Sequence, residues 1–209
     1  MNTICRYFPN LTDKQIHQFE QLPELYSFWN GQINVISRKD IDNLQINHVL
    51  HSLSIAKLIS FKDTTSVLDV GTGGGFPGIP LAILFPCVDF HLIDAVGKKI
   101  KVTQDIANQL GLANVTTDHI RAEQLKDNYD FILSRAVTQL PVFYSWVHQR
   151  IAKHSFNDLP NGMLCLKGGD ITEERKQIPC PVTEYPVSMW FEEAYFAQKN
   201  IVYIPCLHR

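Results

Sequence analysis

The 209-residue sequence contains no apolar run long enough to span a membrane, which excludes a transmembrane helix from the expected architecture. Its first residues, Met1-Asn2-Thr3-Ile4-Cys5-Arg6, lack the charged, apolar and cleavage regions of a signal peptide. Cysteine is scattered. Cys5, Cys87, Cys165, Cys180 and Cys206 are odd in number and form no C-x-x-C pair, which argues against a disulfide framework or zinc site and for a reducing, cytoplasmic compartment. The histidines show no metal-ligand spacing such as H-E-x-x-H, and no metal is expected. A basic excess is missing as well. The net charge is −2 and the pI about 6.4, so any nucleic-acid partner must be met by a local patch. There is no internal repeat or low-complexity tract. What remains, with 45% hydrophobic residues and a mean hydropathy of −0.08, is an ordinary globular composition on a chain long enough for one full core.

The most informative stretch runs Val67-Leu68-Asp69-Val70-Gly71-Thr72-Gly73-Gly74-Gly75-Phe76-Pro77-Gly78-Ile79-Pro80. An apolar run feeds a glycine-dense turn and a second apolar run follows, which reads as buried strand, sharp loop and helix start. Such a unit holds a nucleotide-like ligand outside the carboxyl end of a first strand. Gly73, Gly75 and Gly78 satisfy G-x-G-x-x-G, so the glycines alone leave an NAD(P) oxidoreductase open. Two features oppose it. Asp69 places a carboxylate where it can organise the loop amides or face a cationic ligand, and Pro77 and Pro80 stiffen a helix start where a pyrophosphate needs free N–H donors. A phosphate-free ligand with a sulfonium and an amine, S-adenosylmethionine, fits better.

Ahead of this loop, residues 1–62 read as a helical extension packed on the sheet, and residues 63–209 as the core of a single domain. Thr12-Asp13 caps a helix carrying Ile16, Phe19 and Leu22, which Pro23 is expected to interrupt. From Ile41 onward Leu44, His48, His51 and Ile55 fall at helical spacing. Beyond the loop, strands are expected at Asp89–Asp94, Asn114–Thr117, Tyr129–Ser134 and Met163–Lys167. Helices are expected at Lys98–Leu110, Leu140–Ala152 and near Ile171–Ile178. Val187–Phe191 and Asn200–Ile204 read as a terminal antiparallel pair. The fold class is therefore α/β and Rossmann-like, with a mixed, mostly parallel sheet and an N-terminal helical cap.

Working residues gather at the carboxyl ends of such strands. Asp94 ends the second strand about 20 residues after the glycine loop, where an acidic side chain meets a ribose diol, or where it caps the next helix. Ala122 and Glu123 follow the third strand, where an adenine edge would lie; a plain surface glutamate is the other reading.

Taken together, Asp69-Val-Gly-Thr-Gly-Gly-Gly-Phe-Pro-Gly-Ile-Pro-Leu-Ala, Leu92-Ile-Asp-Ala-Val-Gly-Lys-Lys, Arg121-Ala-Glu, Ser134-Arg-Ala and Leu166-Lys-Gly resemble the ribosomal RNA small subunit methyltransferase G family. Trp29-Asn30, Asn34-Val-Ile-Ser and His48-Val-Leu-His-Ser resemble its N-terminal region. The resemblance implies a class I S-adenosylmethionine-dependent methyltransferase fold and methylation of guanine N7 in 16S rRNA, with the RNA or the small ribosomal subunit as partner. It places cofactor contacts on Gly71, Phe76, Ala122, Glu123 and Arg135, to which the loop and strand reading adds Gly73 and Asp94. One position departs: His51 stands where the family usually has aspartate in H-x-L-D-S, which leaves a non-catalytic rRNA-binding relative as a further reading. Ala95, where serine is common, is a milder departure.

Guanine N7 offers a lone pair and no proton, so catalysis is expected to rest on positioning, with no catalytic side chain acting as acid or base. For substrate the candidates are Arg121, Lys98, Lys99 and Lys167, with Arg38, Lys39, Lys101 and Arg135 also basic and near the expected mouth. Lysines that open a helix oppose its dipole, which hints at an anionic partner. Pro179-Cys180-Pro181 resembles the cysteine site of cytosine-C5 methyltransferases, but it lies beyond the fifth strand and reads as a buried structural cysteine. His48 and His51 read as packing or capping residues. A monomer is expected.

Overall fold

A computed structural model describes residues 2–37 and 40–206. The chain opens with helices α1 (Asn2–Tyr7) and α2 (Asp13–Asn30), then winds through a short 3₁₀ turn, Ile41–Asn43, into a π-helical stretch, Leu44–Leu50. Short helices α3 (His51–Leu53) and α4 (Ile55–Leu58) lead to the sheet. Its strands are β1 (Ser66–Val70), β2 (Asp89–Asp94), β3 (Val115–His119), β4 (Phe131–Arg135), β5 (Gly162–Gly168), β6 (Thr183–Pro186) and β7 (Lys199–Pro205). Between them lie α5 (Gly78–Leu84), α6 (Gly97–Gln109), α7 (Leu140–Val147) and α8 (Thr172–Lys176).

The strands line up in the order β3-β2-β1-β4-β5-β7-β6, with β1 to β5 parallel and β7 inserted antiparallel between β5 and β6. Strand side chains alternate between two apolar layers. Val67, Phe90, Leu92, Phe131, Leu133 and Leu164 join Phe19, Leu22 and Tyr26 of α2 in one of them. Leu68, Val70, Ile132, Met163 and Cys165 pack against Leu140, Phe143 and Val147 of α7 in the other. The N-terminal helices thus share a core with the sheet. No helix among the described residues is long and apolar enough to cross a membrane.

Three expectations need correction. Pro23 does not end its helix: α2 runs 18 residues through it. Interior proline costs about 3 kcal/mol, but the stripe Phe19, Leu22, Tyr26 and Trp29 is buried on both sides of it, and that burial outweighs one lost bond. The helix expected over Leu140–Ala152 stops at Val147 and tightens into a 3₁₀ turn, because Ile151 bridges back to Tyr129. The strand expected at Val187–Phe191 lies earlier, at Thr183–Pro186, on the sheet's edge, where proline strands no ladder partner. Val187 and Phe191 are instead buried at helical spacing around the turn Val187–Met189. Such short apolar runs are ambiguous between strand and turn.

Candidate functional site

At the carboxyl ends of β1, β2, β3 and β4 lies a cleft of about 260 Å³. Its walls include Val70, Gly71, Asp94, Ala95, Lys99, Arg121, Ala122, Glu123, Ala136, Val137 and Trp146. The floor can be this low because Gly71 has no side chain: a Cβ there would stand 2.7 Å from a methyl of Val137, at a φ of +66°. Ala136 carries a positive φ of 54° at the end of β4, an uncommon conformation outside glycine. Through this turn Arg135 reaches the π-helical segment while Val137 comes back over Gly71.

The loop is held by two carboxylates. Asp69 is fully buried, and its Oδ2 accepts from the Thr72 hydroxyl at 2.6 Å and the Gly78 amide at 2.9 Å. Burial raises its pKa to about 6 despite these two bonds. Of the two roles open to Asp69, the structure gives it the organisation of the loop. The start of α5 consequently offers little to a phosphate. The Gly78 amide is taken by Asp69, the Ile79 amide by the Gly75 carbonyl at 2.7 Å, and Pro80 has none. Glycine is also required at 78, where a Cβ would meet Leu92 at 2.7 Å.

Asp94 is engaged through both of its oxygens. Its Oδ2 accepts from the Gly73 amide at 3.0 Å, and its Oδ1 from the Val96 amide at 2.8 Å, just before α6. Lys99 Nζ lies 3.9 Å from Oδ2. Asp94 therefore ties the glycine loop to the start of α6, and it remains part of the cleft wall with Glu123. Glu123 is exposed and Ala122 buried on the turn after β3.

The remaining expected cofactor residues stand behind the cleft. Gly73 touches it through Asp94, and its carbonyl accepts from Thr103 at 3.1 Å. Phe76 is buried, stacked on Tyr26 at 4.8 Å between ring centres, with the Arg135 guanidinium 5.0 Å from its ring centre. Arg135 donates to the Asn47 carbonyl at 3.2 Å and meets His48 Nδ1 at 2.7 Å. Among the described residues it has no carboxylate partner, and burial pulls its pKa below the ordinary arginine value.

The basic residues do not form one patch. Arg121 is exposed on the cleft rim, and Lys98 and Lys101 are exposed on the first turns of α6 without an ion-pair partner among the described residues. Lys99 leans toward Asp94. Lys167, a substrate candidate in the sequence, is paired with Glu174 at 2.9 Å and donates to the Thr138 carbonyl at 2.8 Å, so its charge is already satisfied. Arg38 and Lys39 lie outside the described residues. Cys180 is half-buried beside Tyr144 in a separate groove, and burial raises its thiol pKa, the opposite of an activated nucleophile. His51 packs its ring against Tyr195 and Phe196, and burial drops its pKa to about 3.

Sequence reading missed Tyr26. Its hydroxyl donates to the Gly74 carbonyl at 2.6 Å, so α2 clamps the glycine loop directly. The one signal in the sequence is that Tyr26 stands in an aromatic-rich segment with Phe28 and Trp29. Val137 and Trp146, both in the cleft wall, carried no signal at all.

A sequence profile of the family described as rRNA small subunit methyltransferase G matches residues 15–180. The curated ribosomal RNA small subunit methyltransferase G of Cytophaga hutchinsonii is 53% identical over 205 residues, covering 98% of this chain and 99% of that protein. The protein of the same name from Flavobacterium johnsoniae is 55% identical over 205 residues, covering 98% of each. Among solved structures, magnesium protoporphyrin IX methyltransferase from Synechocystis PCC 6803, with S-adenosylmethionine bound, superposes with a TM-score of 0.59 at 16% identity, covering 93% of this chain and 98% of that one. A methyltransferase dependent on S-adenosylmethionine from Aquifex aeolicus gives 0.56 at 18% identity, covering 81% and 98%. At these identities the structures speak for the fold, which is that of class I methyltransferases dependent on S-adenosylmethionine.

Proposed function

The chain belongs to the ribosomal RNA small subunit methyltransferase G family, and from that premise we propose that it methylates N7 of a guanine in 16S rRNA. The observation that carries the cofactor assignment is the start of α5. With its amides taken by Asp69 and Gly75 and with Pro80 lacking one, it suits a ligand without phosphate. The carboxylates Asp94 and Glu123 in the cleft wall suit hydroxyl and amine donors. These features fit S-adenosylmethionine, which supplies an activated methyl group, and they argue against NAD(P) and an oxidoreductase.

Gly71, Gly73, Asp94, Ala122 and Glu123 hold the cofactor in this reading, Asp94 through its remaining lone pairs. Phe76 and Arg135 support the loop from behind. Lys98, Lys99 and Arg121 meet phosphates, while Lys167 acts through its pair with Glu174, holding the start of α7, where Glu174 also accepts from the Leu140 amide. Guanine N7 carries no proton, so the protein's task is to align the base, exclude water and remove nothing. We place the protein in the cytoplasm as a monomer acting on the small subunit or its RNA.

Purified protein incubated with methyl-labelled S-adenosylmethionine and small-subunit RNA tests the proposal, with base-resolved mapping of the product. The expected outcome is 7-methylguanine at one position, absent from a deletion strain, and a rate profile without a bell set by a protein histidine or glutamate. Absence of transfer, or binding of NAD(P) in place of S-adenosylhomocysteine, overturns it.

A further inference from the structure

Behind the cleft, the hydrogen-bonding direction of one side chain is fixed by its neighbour. His48 sits in the π-helical stretch, a rare backbone form that is frequent at functional sites, with its ring centre 5.1 Å from Phe76. Its Nδ1 lies 2.7 Å from the Arg135 guanidinium. A guanidinium only donates, so Nδ1 must accept, and the ring proton is confined to Nε2. Burial and the arginine charge lower the His48 pKa to about 4, so the ring stays neutral in that single tautomer at physiological pH. Nε2 has no hydrogen-bond partner among the described residues, and His48 is only partly buried.

The surroundings share this one-sided character. Lys199 Nζ lies 4.9 Å from the ring centre of Tyr195, and the Tyr195 hydroxyl donates to the same Asn47 carbonyl that Arg135 uses. That carbonyl is therefore already occupied. No carboxylate pairs with Arg135 or Lys199 among the described residues, and Asp40, whose charge reaches His48, is engaged by Ser37 at 2.6 Å and Asn47 at 3.0 Å, so little here competes as an acceptor for a new donor. The Hoogsteen edge of guanine presents only acceptors, N7 and O6, whereas that of adenine presents N7 and an amino donor.

We infer that His48 Nε2–H is the donor that reads O6 of the target guanine and so separates guanine from adenine at the reacting base. This rests on the proposed guanine-N7 methylation and adds the residue that chooses the base. Arg135 becomes the positioning residue that holds the imidazole in the donating tautomer.

The test compares kcat/KM for small-subunit RNA carrying guanine or 2-aminopurine, which keeps N7 but lacks O6, at the methylated position. Each ratio is taken within one protein, so changes in folding or cofactor affinity cancel. Wild type is expected to prefer guanine by about tenfold or more beyond the intrinsic reactivity difference. His48→Phe should lose about tenfold on guanine and almost nothing on 2-aminopurine, so its preference shrinks by that factor. His48→Gln, which keeps an N–H donor, should recover part of it. A His48→Phe protein that keeps the wild-type preference, or a His48→Gln protein no better than His48→Phe, overturns the inference while leaving the methyltransferase reading intact. No methylation of the guanine substrate by wild type overturns that reading, and the inference with it.

Discussion

Over β1, β2 and β3, and as far as the turn after β4, the carboxyl edge of the sheet opens into a cleft with Asp94 and Glu123 in its wall. Beyond that turn the π-helical segment covers the end of β4 and reaches Tyr195 ahead of β7, and there Arg135 meets an imidazole, a backbone carbonyl and an aromatic ring. The open half has two carboxylates beside Lys99 and Arg121 in its wall, whereas in the covered half no carboxylate pairs with Arg135 among the described residues. A cofactor bearing positive charge and hydroxyl donors belongs in the former. A base that presents N7 and O6 belongs against the latter. On the proposed reading the reaction takes place between them, at the turn where Ala136 adopts its left-handed conformation.

The contrast can be broken on the cofactor side first. Gly71→Ala puts a methyl group 2.7 Å from Val137 at a positive φ, and affinity for S-adenosylhomocysteine measured by calorimetry should fall about 100-fold or more. Asp94→Ala frees the Gly73 amide and Lys99 as well as removing a wall carboxylate, and should cost about 2 kcal/mol of the same affinity. An Asp94→Ala protein that binds as wild type does would take the ribose away from this wall.

Asp69 tests whether the loop is held by a buried acid. Its pKa is raised on folding from the ordinary carboxyl range to about 6, so its favourable contribution is full below about pH 4 and is lost as pH climbs through 6. Urea unfolding should show this group lowering stability by on the order of 2 kcal/mol between pH 4 and pH 8, a dependence that Asp69→Asn lacks.

Two smaller effects sharpen the comparison. Lys98→Ala with Lys101→Ala should make the salt dependence of RNA affinity shallower by about one unit of slope per lysine while leaving cofactor affinity unchanged. Tyr26→Phe leaves the Gly74 carbonyl without its donor, and should weaken cofactor binding by about 1 kcal/mol with little change in base preference.

Much of the open half was legible in the sequence, because strand, glycine turn and helix are local patterns. Asp69, Gly71 and Asp94 sit close to where period and spacing put them, and β2 spans the expected Asp89–Asp94. Little of the covered half was. That Tyr26 reaches Gly74, or that His48 faces Arg135, depends on contacts between residues 48 and 87 positions apart in sequence, to which no local pattern points. The same limit explains Lys167. Its position at the end of β5 was readable, but its partner Glu174 lies on the following helix α8, and only the fold brings the two together. Pro23 and the strand at Thr183–Pro186 failed for a related reason, since burial of distant neighbours overrode local preference.

A crystal structure of the protein with S-adenosylhomocysteine tests the central claim most directly. The ligand is expected in the cleft over β1 to β4, its hydroxyls at Asp94 and its adenine beside Ala122 and Glu123, with the His48–Arg135 contact kept. Density for the ligand on the covered side, or a cleft that stays vacant at saturating concentration, would contradict it.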